Sequence, residues 1–182
     1  MSDRSGLFTG SFDPITIGHV QLIERASRLF DRVYVGIFYN SEKVGLFSIE
    51  QRVRMVEGAL AHLENVEIVT STQELAVTVA RNLGVITLIR GLRNAQDLVY
   101  EANMDYFNHQ LAPELETVYL YAQPPYQAIS STRIRELLAF QQDISPYVPK
   151  SVMEEIKDDT SESTKLAYQK EKRTIERIQT AD

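Results

Sequence analysis

The sequence predicts an α/β fold built on a doubly wound, five-stranded parallel sheet with helices on both faces. Three observations predict it. Short apolar runs rich in β-branched residues recur five times along the 182 residues. Each is followed by a segment whose apolar residues fall at helical spacing. The longest run, Val33-Tyr34-Val35-Gly36-Ile37-Phe38-Tyr39, is apolar without alternation, the pattern of a strand buried on both faces. Strands separated by helices connect through right-handed crossovers, which lay helices on both sides of a parallel sheet.

The elements follow in order. Gly6-Leu7-Phe8-Thr9 is a first strand, closed by Gly10. Val20, Ile23, Ala26 and Phe30 mark a helix from Ile17. After the second strand, Ser48 and Gln51 form a capping-box start to a helix reaching about Leu63. Val66 to Val69 is a third strand, and Glu74 to Leu83 a helix that Gly84 ends in a left-handed turn. Ile86 to Ile89 is a fourth strand, and Asp97 to Leu111 a helix. Thr117 to Tyr121 is a fifth, followed by a helix from Ser130 to Phe140, capped by Ser130, and a short helix near Pro149–Ile156. The alternation is Rossmann-like. In such sheets ligands sit beyond the carboxyl ends of the strands, so the chemistry is expected in the loops that follow them.

Composition narrows the function. Nineteen basic against 25 acidic residues give a net charge of −6, a poor footprint for a protein that grips duplex nucleic acid by its phosphates. There are no cysteines, which removes disulfides, thiolate nucleophiles and cysteine metal sites. No cluster of carboxylates and histidines has metal-ligand spacing, and His62 and His109 read as packing or surface residues. No apolar run approaches the roughly 18 residues of a membrane span. No signal-peptide core is present, so the expectation is a cytoplasmic protein. Residues 1–157 read as one domain. Residues 158–182, without Gly, Pro or Phe and with charges of both signs, read as a helical or disordered tail.

Two loops carry the strongest signal. Gly10-Ser11-Phe12-Asp13-Pro14-Ile15-Thr16-Ile17-Gly18-His19 leaves a strand and enters a helix. The free amides and the dipole of such a helix start attract phosphate, and Gly10 and Gly18 admit close approach to the backbone. Ile129-Ser130-Ser131-Thr132-Arg133-Ile134-Arg135 brings a hydroxyl cluster to a second helix start. Two anion-binding helix ends on one sheet edge suit a triphosphate. Tyr119, Tyr121 and the aromatic run Tyr34–Tyr39 read as sheet core and not as a base-stacking platform.

Together the two segments resemble the nucleotidylyltransferase superfamily, with Thr16-Ile17-Gly18-His19 for its T-x-G-H motif and the late segment for I-S-S-T-x-x-R. Lys43, Ile89-Arg90-Gly91-Leu92-Arg93, Tyr100-Glu101 and His109-Gln110-Leu111-Ala112-Pro113-Glu114 narrow the resemblance, over residues 4–157, to the bacterial phosphopantetheine adenylyltransferases. The resemblance implies transfer of the adenylyl group of ATP to the phosphate of 4′-phosphopantetheine, giving dephospho-coenzyme A and pyrophosphate. The chemistry suits the residues. The nucleophile is already an anionic phosphate, so no general base or covalent intermediate is required. Alignment and stabilisation of charge on the α-phosphate are required instead.

The resemblance also assigns roles. His19, Lys43 and Arg90 are its catalytic set, with His19 on the α-phosphate and Lys43 and Arg90 on the acceptor's phosphate. Ser11, a hydroxyl where many members have threonine, serves both ligands. Phe12 gives its backbone to the nucleotide. Gly91, Leu92, Arg93 and Glu101 line the ATP site, and Tyr126, Gln127, Ala128, Ile129, Ser130, Ser131 and Thr132 wrap the adenine and triphosphate. Ala76 falls at a pantetheine contact. Mg²⁺ arrives on the ATP phosphates. The resemblance further implies a homohexamer with coenzyme A as a feedback ligand. Two departures stand out: Thr9 replaces the proline many members place before the first glycine, with turn stiffness the only expected effect, and Ala128 is smaller than usual. Competing readings keep the fold but pass the nucleotide to nicotinate mononucleotide or to a cytidylyl acceptor, or make the chain a nucleotide sensor without turnover. Lys43 with the Arg90–Arg93 segment opposes the first, and the intact His19, Lys43 and Arg90 oppose the sensor.

Overall fold

The structure, a computed structural model, describes residues 4–39 and 45–158. Among the described residues five strands alternate with helices, and a sixth helix follows the last: β1 (Ser5–Gly10), α1 (Ile17–Leu29), β2 (Arg32–Tyr39), α2 (Ile49–Leu60), β3 (Val66–Thr72), α3 (Ala76–Asn82), β4 (Thr87–Leu92), α4 (Ala95–Leu111), β5 (Glu116–Tyr121), α5 (Ser131–Ala139) and α6 (Lys150–Asp158). All strand pairs are parallel, in the order β3-β2-β1-β4-β5. The chain winds outward from β1 in one direction and, after β3, crosses back to wind in the other. The crevice at that reversal lies between the carboxyl ends of β1 and β4, where doubly wound sheets bind ligands.

Strand alternation sorts the core into two layers. Phe8 and Ile89 face one side with Val33, Val35 and Ile37, packing against Leu22, Ile23 and Ala26 of α1, Met55 and Val56 of α2, Ile134 of α5 and Val152 of α6. Leu7 and Leu88 face the other, against Val77, Val79 and Ala80 of α3. Both capping residues read from the sequence do cap: Ser48 and Gln51 close a reciprocal box on α2, and Ser130 accepts from the Arg133 amide. Gly84 takes the left-handed conformation, φ 68°, that ends α3.

The differences from the sequence reading are local. The fourth strand begins at Thr87, leaving Ile86 exposed, and runs on through Leu92 because β5 continues to pair with it, Leu92 opposite Tyr121. Arg90 and Gly91 therefore sit on a strand and not in a loop. Tyr121, read as core, is exposed at the end of the outermost strand. The segment 159–182, most of the expected tail, lies outside the described residues.

Helix α4 inverts the usual arrangement. Asp97, Glu101, Asp105 and Asn108, one stripe at helical spacing, are its only residues that are not exposed, and Glu101 alone is buried. The helix is held to the sheet by polar bonds from this stripe, including Thr117 to Asp105. The phenol of Tyr119, on the sheet beneath, is pushed up by burial and by the nearby Asp105 and Glu101 carboxylates. The outward side of α4 carries Val99, Met104, Tyr106, Phe107 and Leu111 and no charged residue.

Candidate active site

The first loop turns on a strained residue. Phe12 has φ 46°, a left-handed conformation that costs a bulky side chain about 1–3 kcal/mol. Its buried ring compensates by packing edge-on against the His19 imidazole, centroids 5.2 Å apart, and over Gly10, where a Cβ would stand 3.0 Å from the ring. The Asp13 carboxylate accepts from the amides of Leu46 and Phe47, at 2.9 Å each, and pairs with buried Arg52 at 3.3 Å. Arg52 donates in turn to the carbonyls of Phe47 and Ser11. From the other side Arg135 donates to the Asp13 carbonyl and Ser131 to the Pro14 carbonyl. The loop is thus tied to the start of α2 and to the start of α5. Asp13→Ala strands a buried guanidinium and is expected to cost about 3–5 kcal/mol, read as a lowered urea midpoint.

The T-x-x-H spacing has a structural meaning that the motif alone did not disclose. Thr16 is the N-cap of α1 and His19 its third residue. The Thr16 hydroxyl accepts from the His19 amide, and the Thr16 amide donates to His19 Nδ1 at 3.1 Å. The histidine takes the place that Glu or Gln fills in an ordinary capping box. Because a backbone amide can only donate, Nδ1 is the unprotonated nitrogen and the ring proton resides on Nε2. Burial, helped by the charges of Arg93 and Arg90, pushes the imidazole down to about 4. His19 is therefore a neutral donor near pH 7. A depressed pKa contributes stability that is whole above 6.5 and is lost as pH falls toward 4. In a ¹³C-edited titration of the free protein the His19 ring signals are expected to stay flat from pH 8 to 5.5; a midpoint near 6.5 would contradict this.

A cavity of about 370 Å³ opens at the β1/β4 crevice. Of the residues expected from sequence, Ser11, His19, Arg90, Gly91, Arg93 and Glu101 line it from one side, and Tyr126, Ile129, Ser130, Ser131 and Thr132 from the other. Phe12, Leu92, Gln127, Ala128 and Ala76 are not on its wall. Phe12 and Leu92 point into the core, and the Gln127 side chain donates to the Ala122 carbonyl. Lys43 lies outside the described residues. The sequence reading missed five further polar side chains on the wall: Thr9, Thr16, Asp97, Tyr100 and Arg135. Arg135 was legible as the last letter of the late motif. Asp97 was not, since a surface carboxylate on a helix is commonplace.

The cations come with partners. Arg90 donates through Nε and Nη2 to both oxygens of Glu101, at 2.7 and 2.6 Å, and through Nη1 to the carbonyl of Thr9 at 2.7 Å and to its hydroxyl. Arg93 donates through Nε and Nη2 to Asp97, at 2.9 Å each. Burial raises the Asp97 carboxyl, but bonds from the Arg93 side chain and amide outweigh it and hold the group below its ordinary value. Among the described residues three arginines against two carboxylates leave the wall one positive charge, and two of the guanidinium groups are oriented by those carboxylates. Among the described residues no group of three or more histidines or carboxylates is placed to hold a metal ion, and no helix is long and apolar enough to cross a membrane.

A crevice lined by arginines, hydroxyls and a histidine invites comparison with known proteins. Residues 7–137 match the Cytidylyltransferase-like family. The chain is 67% identical over 156 residues to the phosphopantetheine adenylyltransferase of Streptococcus sanguinis, covering 86% of this chain and 95% of that protein. It is 66% identical over 162 residues to that of Streptococcus gordonii, covering 89% and 99%. It is 60% identical over 159 residues to that of Streptococcus pneumoniae, covering 87% and 98%. Among solved structures, a protein of Vibrio parahaemolyticus described as a nicotinate-nucleotide adenylyltransferase shares the fold, with a TM-score of 0.63 at 21% identity over 86% of this chain and 93% of its own. The chain belongs to the cytidylyltransferase-like family and, within it, to the phosphopantetheine adenylyltransferases.

Proposed function

We propose that the chain moves the adenylyl group of ATP onto the phosphate of 4′-phosphopantetheine, releasing pyrophosphate and dephospho-coenzyme A. The observation that carries the reading is one crevice joining a neutral Nε2–H donor, two oriented guanidinium groups and the starts of α1 and α5. An acceptor phosphate oxygen attacks the α-phosphorus in line with the departing pyrophosphate. One P–O bond forms as one breaks, and no proton need move. His19 Nε2–H donates to the α-phosphoryl oxygens as charge builds there. Arg93 and the Ser130–Thr132 turn hold the β- and γ-phosphates, and Ser11 meets both ligands at the rim. Arg90 takes the acceptor's phosphate, with Lys43 in the role that the motif resemblance implies. Both wall carboxylates are committed to arginines, so magnesium enters as part of the substrate MgATP.

We place the reaction in the cytoplasm, with coenzyme A, the product bearing one more phosphate, as a competing feedback ligand. Self-association into the hexamer is supported by the uncharged, apolar outer side of α4. Phe107→Glu is expected to lower the mass measured by sedimentation equilibrium; an unchanged mass would move the interface elsewhere. The reaction itself is tested by pyrophosphate release from MgATP with 4′-phosphopantetheine, against nicotinate mononucleotide as acceptor. Release with the first alone is expected. Release with the second alone would overturn the reading, and ATP binding without release would favour a sensor.

A further inference from the structure

We propose that Thr9 and Glu101 act as positioning residues that jointly fix the plane of the Arg90 guanidinium for the acceptor's phosphate. The proposal rests on the role given to Arg90 above. It starts from the donor inventory. A guanidinium has five N–H groups in one rigid plane. Glu101 takes Nε–H and one Nη2–H through its two carboxylate oxygens, and Thr9 faces Nη1 with both its carbonyl and its hydroxyl. Among the described residues this leaves one Nη2–H without a partner, on a residue that lines the cavity.

The two partners hold different edges. Glu101 is nearly buried on the inward stripe of α4, and both its oxygens accept from Arg90. Thr9 belongs to β1, the strand that pairs beside β4, which carries Arg90 itself. Two edges pinned from two elements leave the plane no free rotation. A guanidinium held by Glu101 alone could still pivot about that edge. An oriented fork also loses little entropy when it binds phosphate.

The Thr9 hydroxyl is the informative half. A proline at this position keeps the carbonyl but has no hydroxyl, so this contact is a property of the residue this chain carries. The sequence reading gave Thr9 only a part in turn stiffness. The resemblance gave Glu101 a nucleotide contact, whereas both its oxygens are engaged by Arg90.

The test compares Thr9→Val, Thr9→Ser and Glu101→Gln with the unaltered chain. Valine removes the hydroxyl at nearly constant shape, and serine restores it. Thr9→Val is expected to raise KM for 4′-phosphopantetheine about tenfold, as for loss of a hydrogen bond to a charged group. KM for ATP stays within twofold, and Thr9→Ser returns both to the starting values. Glu101→Gln is expected to raise the same KM further. A merely structural role would move both KM values together or neither, and either result overturns the proposal. A second readout needs no substrate: the ¹⁵N-resolved Nε–H signal of Arg90, whose exchange with solvent is expected to be slow in the unaltered chain and faster in Thr9→Val and Glu101→Gln. Unchanged exchange overturns the clamp. If the unaltered chain gives no pyrophosphate with 4′-phosphopantetheine, the functional reading fails and this signal alone decides the clamp.

Discussion

Replacing His19 with alanine is expected to lower kcat by about 10²–10³-fold, the scale for removal of one preorganised donor to a developing oxyanion. Affinity for ATP, measured by calorimetry, stays within a few-fold. The split follows from when the bond is made. Nε2–H meets the α-phosphoryl oxygens most strongly as charge accumulates on them, so its loss is a transition-state loss and appears in kcat. The ring stands neutral because it is half-buried beside two arginines, with its pKa pushed down to about 4. A donor that is already neutral has no proton to lose near pH 7, and its strength there is constant. The substitution also removes the acceptor for the Thr16 amide, a cap contribution of about 1 kcal/mol to stability. That loss lowers the melting temperature without touching the kcat argument. Weakened ATP binding with kcat preserved would remove His19 from the chemistry.

Arg90→Ala is the second large effect. Its consequence exceeds a lost contact, because the carboxylate left behind is itself buried. Glu101 is 8% exposed and gives both oxygens to the arginine. Truncating one member of a desolvated pair costs about 2–5 kcal/mol, much of it the penalty on the survivor. Here the survivor is an anion beside the place where a phosphate must dock. KM for 4′-phosphopantetheine is expected to rise about 100-fold, while KM for ATP changes little. Neutralising the orphan tests the explanation: Arg90→Ala with Glu101→Gln is expected to recover about tenfold of the loss, a coupling that independent residues would not show. A double variant no better than Arg90→Ala would mean that only the lost contact matters.

These two residues also show how far the sequence can be read. Strand runs, helical spacing and two cap signatures placed the sheet and its ligand edge, because hydrophobic periodicity is a local property that the fold has to honour. His19 and Arg90 were legible as motif letters. Their surroundings were not. That Thr16 and His19 cap each other's backbone follows only once the helix start is built. That Asp97, Glu101 and Asp105 turn inward contradicts the usual expectation for acidic residues on a helix, and it depends on Arg93 just past β4, on Arg90 within β4 and on Thr117 of β5. Each of the three wall arginines meets a carboxylate, Arg90 with Glu101, Arg93 with Asp97 and Arg135 with Asp13 at 4.0 Å, so geometry and not net charge is what those residues contribute. Arg52, which ties the first loop to the start of α2, carried no motif at all, since a single arginine inside an amphipathic helix reads as surface.

The central claim is a single direct displacement at the α-phosphorus, with no enzyme-bound adenylyl group in between. Stereochemistry tests it most directly. With one diastereomer of adenosine 5′-O-(1-thiotriphosphate) and 4′-phosphopantetheine, ³¹P spectra of the product are expected to show inversion at that phosphorus. Retention, the signature of two successive displacements, would contradict the account.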